Sequence, residues 1–448
     1  MPLRCACRES ANILDLLEPR RRVEDFYRFG CIERLARFRN EYTVTYRVCL
    51  FHSFDPRGAK VGGFETYMRD FITFHPGDFS LLVIGVDSFG DLELGKTVTL
   101  SLRGRMFSFL PILRFPENDI TEAATRLSQS ITLRFFMAIL RHQRAIRRAL
   151  RSGSWSAELR RMEYAIWPFL FGVPFVQMLH GGEVSPNQPM DSLLKRYWFL
   201  QMLNERMSLV LCEKFLCVNP FITERIREIW PRYRNKVDTL TTWANADIYR
   251  PRPFTRADTV FRVIYCGRLD KFKQPSLMFK TVDRLRELLG GGGVEFHYVG
   301  PSNPNRFPEF TPIQPITVVH GYQDAAGIAK IMARIDAGIL TSEFEGMPRF
   351  VLETLCSGRP VAAVHLPQLE AVIEAGTSGY LVPRSEDETT QVDLLARAFV
   401  RLWDDIRAGR IDPATVRSKM EAFTPEKLLG RMYQYHRDIQ DRRASTSG

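Results

Sequence analysis

From Tyr46 onward, short apolar runs alternate with stretches of helical period. That order fits strands joined by helices in parallel sheets, an α/β class fold. In the first half the strand-like runs are TYRVCLFHSF, FSLLVIGV, VPFVQMLH and FLCVNP, the last leading into the helical ITERIREIW. The turn DPRGAKVGG predicts a helix from Phe64. The alternation restarts near residue 258, with FRVIYCG, VEFHYVG, ITVVHGY, DAGILTS and PVAAV as strands. LMFKTVDRLRELL and AGIAKIMARI read as helices between them. Pro348 to Ser357 predicts another, since Pro suits a first helical turn and Gly358 with Pro360 suits a stop. WANADIYRPRPFTRAD has no periodicity and reads as a linker.

A single core rarely grows past roughly 250–300 residues, so a chain of 448 residues is expected to divide. The expected parts are a helical extension over 1–40, an α/β domain over 41–248, a second over 249–425, and a closing segment over 426–448. In that segment a helix starts at Thr424-Pro425-Glu426 and runs to about Gln440, and the tail RRASTSG is expected to be disordered.

Composition excludes several classes. The eight cysteines are scattered and none has zinc-ligand spacing, so free thiols in a reducing compartment are expected. No run reaches the ~20 apolar residues of a membrane span, and the longest, Ala165 to Leu179, is broken by Pro168 and Pro174. The N-terminus lacks an apolar signal core. The expected location is the cytoplasm, free or peripheral on the cytoplasmic face of a membrane.

The net charge of +11 is uneven: residues 1–250 hold 36 Lys and Arg against 27 Asp and Glu. Between Arg103 and Arg151 ten arginines face three acids, and Leu133, Met137, Leu140, Arg141, Arg144 and Arg148 fall at helical spacing. Two readings stand: a solvated helix of an α/β domain, or an amphipathic helix on anionic lipid. Nucleic acid is not expected, because no aromatic-interleaved basic motif is present.

The segment TSEFEGMPRFVLETLCSGRPVAAV carries the chemistry. Glu345 follows a strand and Glu353 lies eight positions on, inside the predicted helix. One carboxylate could address a sugar while the other holds the far end of a nucleotide. Gly346 permits close backbone approach. The helix N-terminus attracts phosphate; Pro348 has no N–H, so the amides of Arg349 and Phe350 are the expected donors. Arg268 and Lys273, after Gly267, sit in a loop at a carboxyl sheet edge, where two cations could neutralise a diphosphate. Gly62 and Gly63 close the turn before the first helix, and His180 in HGGE follows another strand. Each feature alone is commonly structural; around the two glutamates the Gly, Pro, helix and Gly-x-Pro-Val context sharpens the signal.

Over roughly residues 46–440 the chain resembles glycosyltransferase family 4, the retaining group with the GT-B fold. EGMPRFVLETLCSGRPV is similar to its paired-glutamate motif, with further likeness at GRLDKFK, GGFE, HGG, GTSGYLVP, WANADIYRP and FTPEKLLGRMYQYHRDI. The resemblance implies two facing Rossmann-like domains, the first on the acceptor side and the second binding a nucleotide sugar, with the closing helix crossing back. It implies that Glu353 holds the ribose, Glu345 stands by the donor sugar, and Arg268 and Lys273 clamp the diphosphate. Amides near Met347 and Phe350 would hold sugar hydroxyls and phosphate, Gly63 would let its loop close, and His180 would lie near sugar and acceptor. No cofactor and no metal are expected. Met347-Pro348, Leu355-Cys356 and Trp243-Ala244-Asn245-Ala246 depart from the family's commoner residues.

The expected activity is retaining transfer of a hexosyl unit from a UDP- or GDP-linked donor to a hydroxyl of a glycan or lipid-linked acceptor. The place in metabolism is polysaccharide or glycolipid synthesis. A phosphorylase or nucleotide-sugar epimerase of the same architecture, and a non-catalytic sugar-nucleotide-binding scaffold, are the alternatives.

Overall fold

The computed structural model describes residues 46–58, 63–116, 130–180, 198–255 and 259–447. The helical extension expected over 1–40, and Gly62, Gly181 and Gly182, lie outside these residues.

The first sheet has eight strands: β1 (Tyr46–Phe51), β2 (Phe79–Asp87), β3 (Val98–Leu102), β4 (Arg105–Arg114), β5 (Ser156–Leu159), β6 (Phe175–Leu179), β7 (Lys214–Cys217) and β8 (Val237–Thr239). Their order is β3-β4-β2-β1-β5-β6-β7-β8. In β2, eight of nine positions are buried, the continuous burial of a parallel strand covered on both faces. The hairpin β3–β4 was not legible as a strand pair and is antiparallel. Its turn, Arg103-Gly104, has positive φ at both residues, the twist-matched geometry of tight hairpins.

The second sheet is parallel throughout: β9 (Phe261–Cys266), β10 (Val294–Val299), β11 (Thr317–Val319), β12 (Ala337–Leu340), β13 (Val361–Val364) and β14 (Gly379–Val382), in the order β11-β10-β9-β12-β13-β14. Crossover helices cover both sheets: α1 (Gly63–Thr73), α2 (Ile131–Arg141), α3 (Gln143–Leu150), α4 (Ile166–Leu170), α5 (Trp198–Leu211) and α6 (Pro220–Ile229) in the first part; α7 (Pro275–Leu288), α8 (Ala325–Met332), α9 (Arg349–Cys356), α10 (Glu388–Arg407), α11 (Pro413–Ser418) and α12 (Pro425–Ser447) thereafter.

Two expectations change. The basic stretch forms two helices rather than one, because His142 leaves helical geometry at the junction of α2 and α3. Its inner face buries Phe135, Ala138, Ile139 and Ile146, whereas Leu133, Met137 and Leu140 are exposed. The closing helix α12 continues to Ser447, past the expected end at about Gln440 and through the tail expected to be disordered. The linker packs closely on the first half: Trp243 is fully buried, lies 4.6 Å from the Tyr67 ring, and donates through Nε1 to Asp70 Oδ2 at 2.8 Å.

Helix α12 docks on the first sheet, as expected. The Tyr433 hydroxyl donates to the Phe71 carbonyl at 2.6 Å, and Arg437 makes a forked contact with Asp78 at 2.9 and 3.0 Å. His436 Nδ1 lies 2.9 Å from Ser156 Oγ, and Gln440 bonds both Arg47 and Ser156. In parallel sheets the loops after the strands open at one edge. Here the loop after β7 meets the loop after β12, so the two carboxyl edges face each other across a cleft.

Candidate active site

The loops after β9 and β12 are tied together before any ligand is considered. Lys273 Nζ forms an ion pair with Glu345 Oε1, and Ser342 Oγ donates to the same oxygen at 2.9 Å. Glu343 N–H donates to the Phe272 carbonyl at 2.8 Å, and Gln274 Nε2 donates to Glu343 Oε1 at 2.9 Å. Thr341 Oγ1 donates to the Lys273 carbonyl at 2.7 Å. Gln274 itself holds a left-handed conformation, φ 50°, between the short turn 271–273 and α7. For a residue other than glycine that conformation costs free energy, and the Glu343 bond and the start of α7 hold it in place.

Arg268 lies on the same loop but reaches outward. Its side chain is 60% exposed and its Nη2 is 3.1 Å from Asp270. The backbone beneath it is anchored, since the Tyr265 hydroxyl donates to the Arg268 carbonyl and the Tyr298 hydroxyl to the Gly267 carbonyl, both at 3.1 Å. Gly267 has φ 152°, which an L side chain rarely adopts.

Helix α9 starts after Pro348, and its first turn bonds the Val351 N–H to the Pro348 carbonyl at 3.0 Å. The amides of Arg349 and Phe350 therefore precede the first intrahelical bond, as expected of an anion-receiving N-terminus. Met347 and Phe350 are buried, and the Phe350 ring packs edge-on to Tyr265 at 5.6 Å. The Arg349 side chain turns inward, an arrangement the sequence did not suggest. Its Nε is 3.5 Å from Glu353 Oε1, and its Nη2 is 3.9 Å from Asp70 Oδ2 of α1 in the first sheet's layer. Burial raises the Glu353 carboxyl above its ordinary range; Arg349 and a hydrogen bond from Tyr249 oppose that rise. Burial raises Asp70 in the same way, again against Arg349 and Trp243.

Across the cleft, the carboxyl edge of the first sheet presents His52 after β1, Arg160 after β5, His180 after β6 and Asn219 after β7. His180 is held neutral: burial lowers its pKa well below the usual value, and Arg160 and Arg349 push the same way. The Asn219 side chain donates through Nδ2 to the Gly346 carbonyl at 2.6 Å. A Cβ at Gly346 would lie 2.5 Å from the His180 carbonyl and 2.8 Å from Val218, so this glycine permits the two halves to touch. Gln368 Nε2 donates to the Glu345 carbonyl at 2.7 Å.

The structure thus gathers Glu345, Lys273, Gly346, Met347, Arg349, Phe350, Glu353 and His180 where the two sheet edges meet, while from the adjoining loop, after Gly267, the Arg268 side chain reaches outward. Gly63 begins α1, and Gly62 lies outside the described residues. Sequence reasoning missed Asp70, Arg160, Asn219, Tyr249, Ser342 and Gln368. Asn219-Pro220 ahead of ITERIREIW is a helix-start signal that could have marked Asn219; the others have no local signature.

Residues 260–405 match the family model described as glycosyl transferases group 1. No curated protein sequence matches the chain. Among solved structures, sucrose-phosphate synthase from Thermosynechococcus elongatus is similar at TM-score 0.67 and 16% identity, covering 88% of this chain and 99% of that one. An Anabaena protein, HepE, in complex with UDP and glucose gives 0.58 and 12%, covering 87% and 99%. The E. coli protein described as trehalose-6-phosphate bound with UDP-2-fluoro glucose gives 0.60 and 10%, covering 87% and 98%. These likenesses are of fold, and with the two facing sheets they establish the GT-B architecture that the motifs implied.

Proposed function

We propose that this glycosyltransferase of the group 1 kind moves a hexosyl unit from a nucleotide diphosphate sugar to an acceptor hydroxyl with retention at the anomeric carbon. The observation that carries the reading is the Lys273–Glu345 pair, held by Ser342 at a carboxyl sheet edge, with the His180 carbonyl against the neighbouring Gly346. An ammonium already within reach of a carboxylate at a ligand-binding edge is placed to exchange that partner for a leaving phosphate. UDP is the favoured carrier, since two of the similar structures hold UDP or a UDP-sugar analogue; GDP remains the second candidate.

In this reading Glu353 accepts hydrogen bonds from the ribose hydroxyls. Arg268 and Lys273 take the diphosphate, and the free amides of Arg349 and Phe350 supply further donors to phosphate or sugar oxygens. These cations and amides provide the charge stabilisation of a metal-independent reaction. The bond from the anomeric carbon to the diphosphate oxygen breaks as the acceptor oxygen forms its bond on the same face. The acceptor proton passes to the departing phosphate oxygen. His180, neutral by burial, accepts or donates a hydrogen bond beside the sugar, and Glu345 orients sugar and Lys273 together.

The acceptor is a glycan or lipid-linked hydroxyl, met at the cytoplasmic face of a membrane in polysaccharide or glycolipid synthesis. Leu133, Met137 and Leu140 stand exposed on α2, beside the exposed Arg141, Arg144 and Arg148. An apolar strip flanked by cations fits an anionic lipid surface. No helix among the described residues is long and apolar enough to cross a membrane.

The test is release of nucleoside diphosphate from UDP- and GDP-sugars, with membrane extract as acceptor source. Wild type should release one carrier only when acceptor is present, and Glu345→Ala, Arg268→Ala and Lys273→Ala should each lower that release. Release that ignores acceptor, or survives all three substitutions, would overturn the proposal.

A further inference from the structure

Arg160 is the first residue beyond β5, the strand between β1 and β6 near the middle of the first sheet. Its side chain is 2% exposed. Nε donates to Glu158 Oε1 at 2.8 Å, and the guanidinium lies over the Tyr67 ring. The two terminal nitrogens, Nη1 and Nη2, have no hydrogen-bond partner, and neither has Glu158 Oε2 nor the Tyr67 hydroxyl.

A structural ion pair would use this geometry differently. Arginine and carboxylate commonly meet fork to fork, with two parallel hydrogen bonds. Glu158 contacts only Nε and leaves the fork unmade. A buried guanidinium with unmade donors costs several times what a surface one does. Burial disfavours the charge on both members of the pair. The cost is offset when a ligand supplies the missing acceptors.

The surroundings say what kind of ligand. Arg160 feels the charge of Arg349 from the facing half, and its own charge reaches His180. Asp70 and Glu353 both stand against Arg349, and Glu158 is used at Nε. What lacks a partner here is therefore a buried pair of N–H donors in a positive field. Phosphate and carboxylate fit that fork.

We infer that Arg160 binds an anionic group carried by the acceptor, a phosphate or a carboxylate, and so selects charged acceptors over neutral ones. The inference rests on the transferase reading. There the donor diphosphate is taken by Arg268 and Lys273 on the second sheet's edge, whereas Arg160 stands on the first sheet. Glu158 and Tyr67 are positioning residues: one fixes the guanidinium through Nε, the other supports its face.

The experiment is calorimetric titration of the full chain. UDP and GDP are titrated first, which tests the transferase reading by itself; binding of neither would sink that reading. With the bound nucleotide saturating, glucose 6-phosphate, glucuronate and glucose are then titrated. Wild type should bind one anionic sugar at least about tenfold more tightly than glucose, as a charge-assisted fork contact would give. Arg160→Gln should remove that preference and leave nucleotide affinity within about twofold, and Arg160→Lys should restore part of it. The wild-type preference needs no variant, so a misfolded Arg160→Gln would not rescue the idea. Equal binding of charged and neutral sugars by wild type would overturn it, as would a preference that survives Arg160→Gln. A loss of nucleotide affinity in Arg160→Gln would assign the guanidinium to the donor phosphates instead, and overturn it too.

Discussion

Asn219 and Gly346 join the two halves of the cleft: the amide Nδ2 of the first donates to the carbonyl of the second at 2.6 Å, while Oδ1 of the same side chain caps α6 at the Ile222 N–H, 2.9 Å away. The two ends of one amide thus do separate work. Asn219→Asp keeps the cap acceptor but sets a carboxylate oxygen against the Gly346 carbonyl. Asn219→Ala loses both contacts and should cost about 1 kcal/mol of stability, the usual worth of a cap. We expect the Asp variant to unfold in urea close to wild type yet turn over more slowly. Equal turnover in the Asp variant would show that the interdomain bond is idle.

Gly346→Ala places a methyl against the His180 carbonyl and Val218. Both neighbours are fixed, one a backbone oxygen and the other a buried side chain, so the halves must part rather than repack. Turnover should fall about tenfold or more, because displacing reacting groups by an ångström is that costly. The melting temperature should move little. A larger radius of gyration by small-angle scattering would accompany the loss.

Lys273 and Arg268 should not count equally. The Lys273 side chain is 19% exposed and paired with Glu345, whereas Arg268 is 60% exposed and screened by water. Lys273→Ala should lower kcat by about 10²–10³-fold, the range for losing one preorganised cleft donor. Arg268→Ala should lower it by about tenfold and lose more of its effect at high salt. The opposite ranking would move the leaving group toward Arg268.

Acid should unfold the chain partly through His436. Burial between α12 and the first sheet lowers its pKa from 6.5 to about 3. A depressed histidine stabilises the fold above its unfolded pKa, and that stability is lost as pH falls from about 6.5 toward 3. The slope from this residue is up to about 1.4 kcal/mol per pH unit. Urea midpoints for wild type and His436→Gln between pH 7 and pH 4 should converge as pH falls. Parallel curves would exclude His436 as the source.

Vesicle co-sedimentation checks the lipid contact. The chain should bind vesicles rich in phosphatidylglycerol, weakly bind phosphatidylcholine alone, and release as salt rises. Leu133→Asp with Met137→Asp should abolish binding without changing the melting temperature, since both side chains are exposed. Retained binding would show that α2 is a solvated helix.

The alternation of runs was enough to place β1, β2, β6 and β7 of the first sheet and β9 to β13 of the second, because a parallel strand is buried on both faces and its whole length must be apolar, as in β2. Glu345, Glu353, Lys273 and Arg268 were legible because chemistry and local turn geometry constrain neighbours in sequence: glycine, proline and helix start lie within a few residues of each glutamate. The edge hairpin β3–β4 and the short β5, with Glu158 in its middle, escaped because their patterns are mixed and brief.

What tertiary structure alone decided lies in the contacts between distant segments. Asp70, Trp243, Arg349 and Glu353 come from one first-layer helix, the linker and a second-layer helix, and nothing in their local sequence records that they share charge and burial. Arg160 reads in sequence as one of two adjacent arginines; only the fold buries it beside Tyr67 and leaves its fork open. The sequence determined which residues could form strands, turns and a phosphate-facing loop, because those depend on short-range sterics and periodicity. Which cations lost their water, and which carboxylates they met, was decided by long-range packing, since desolvation depends on everything that surrounds a group in space.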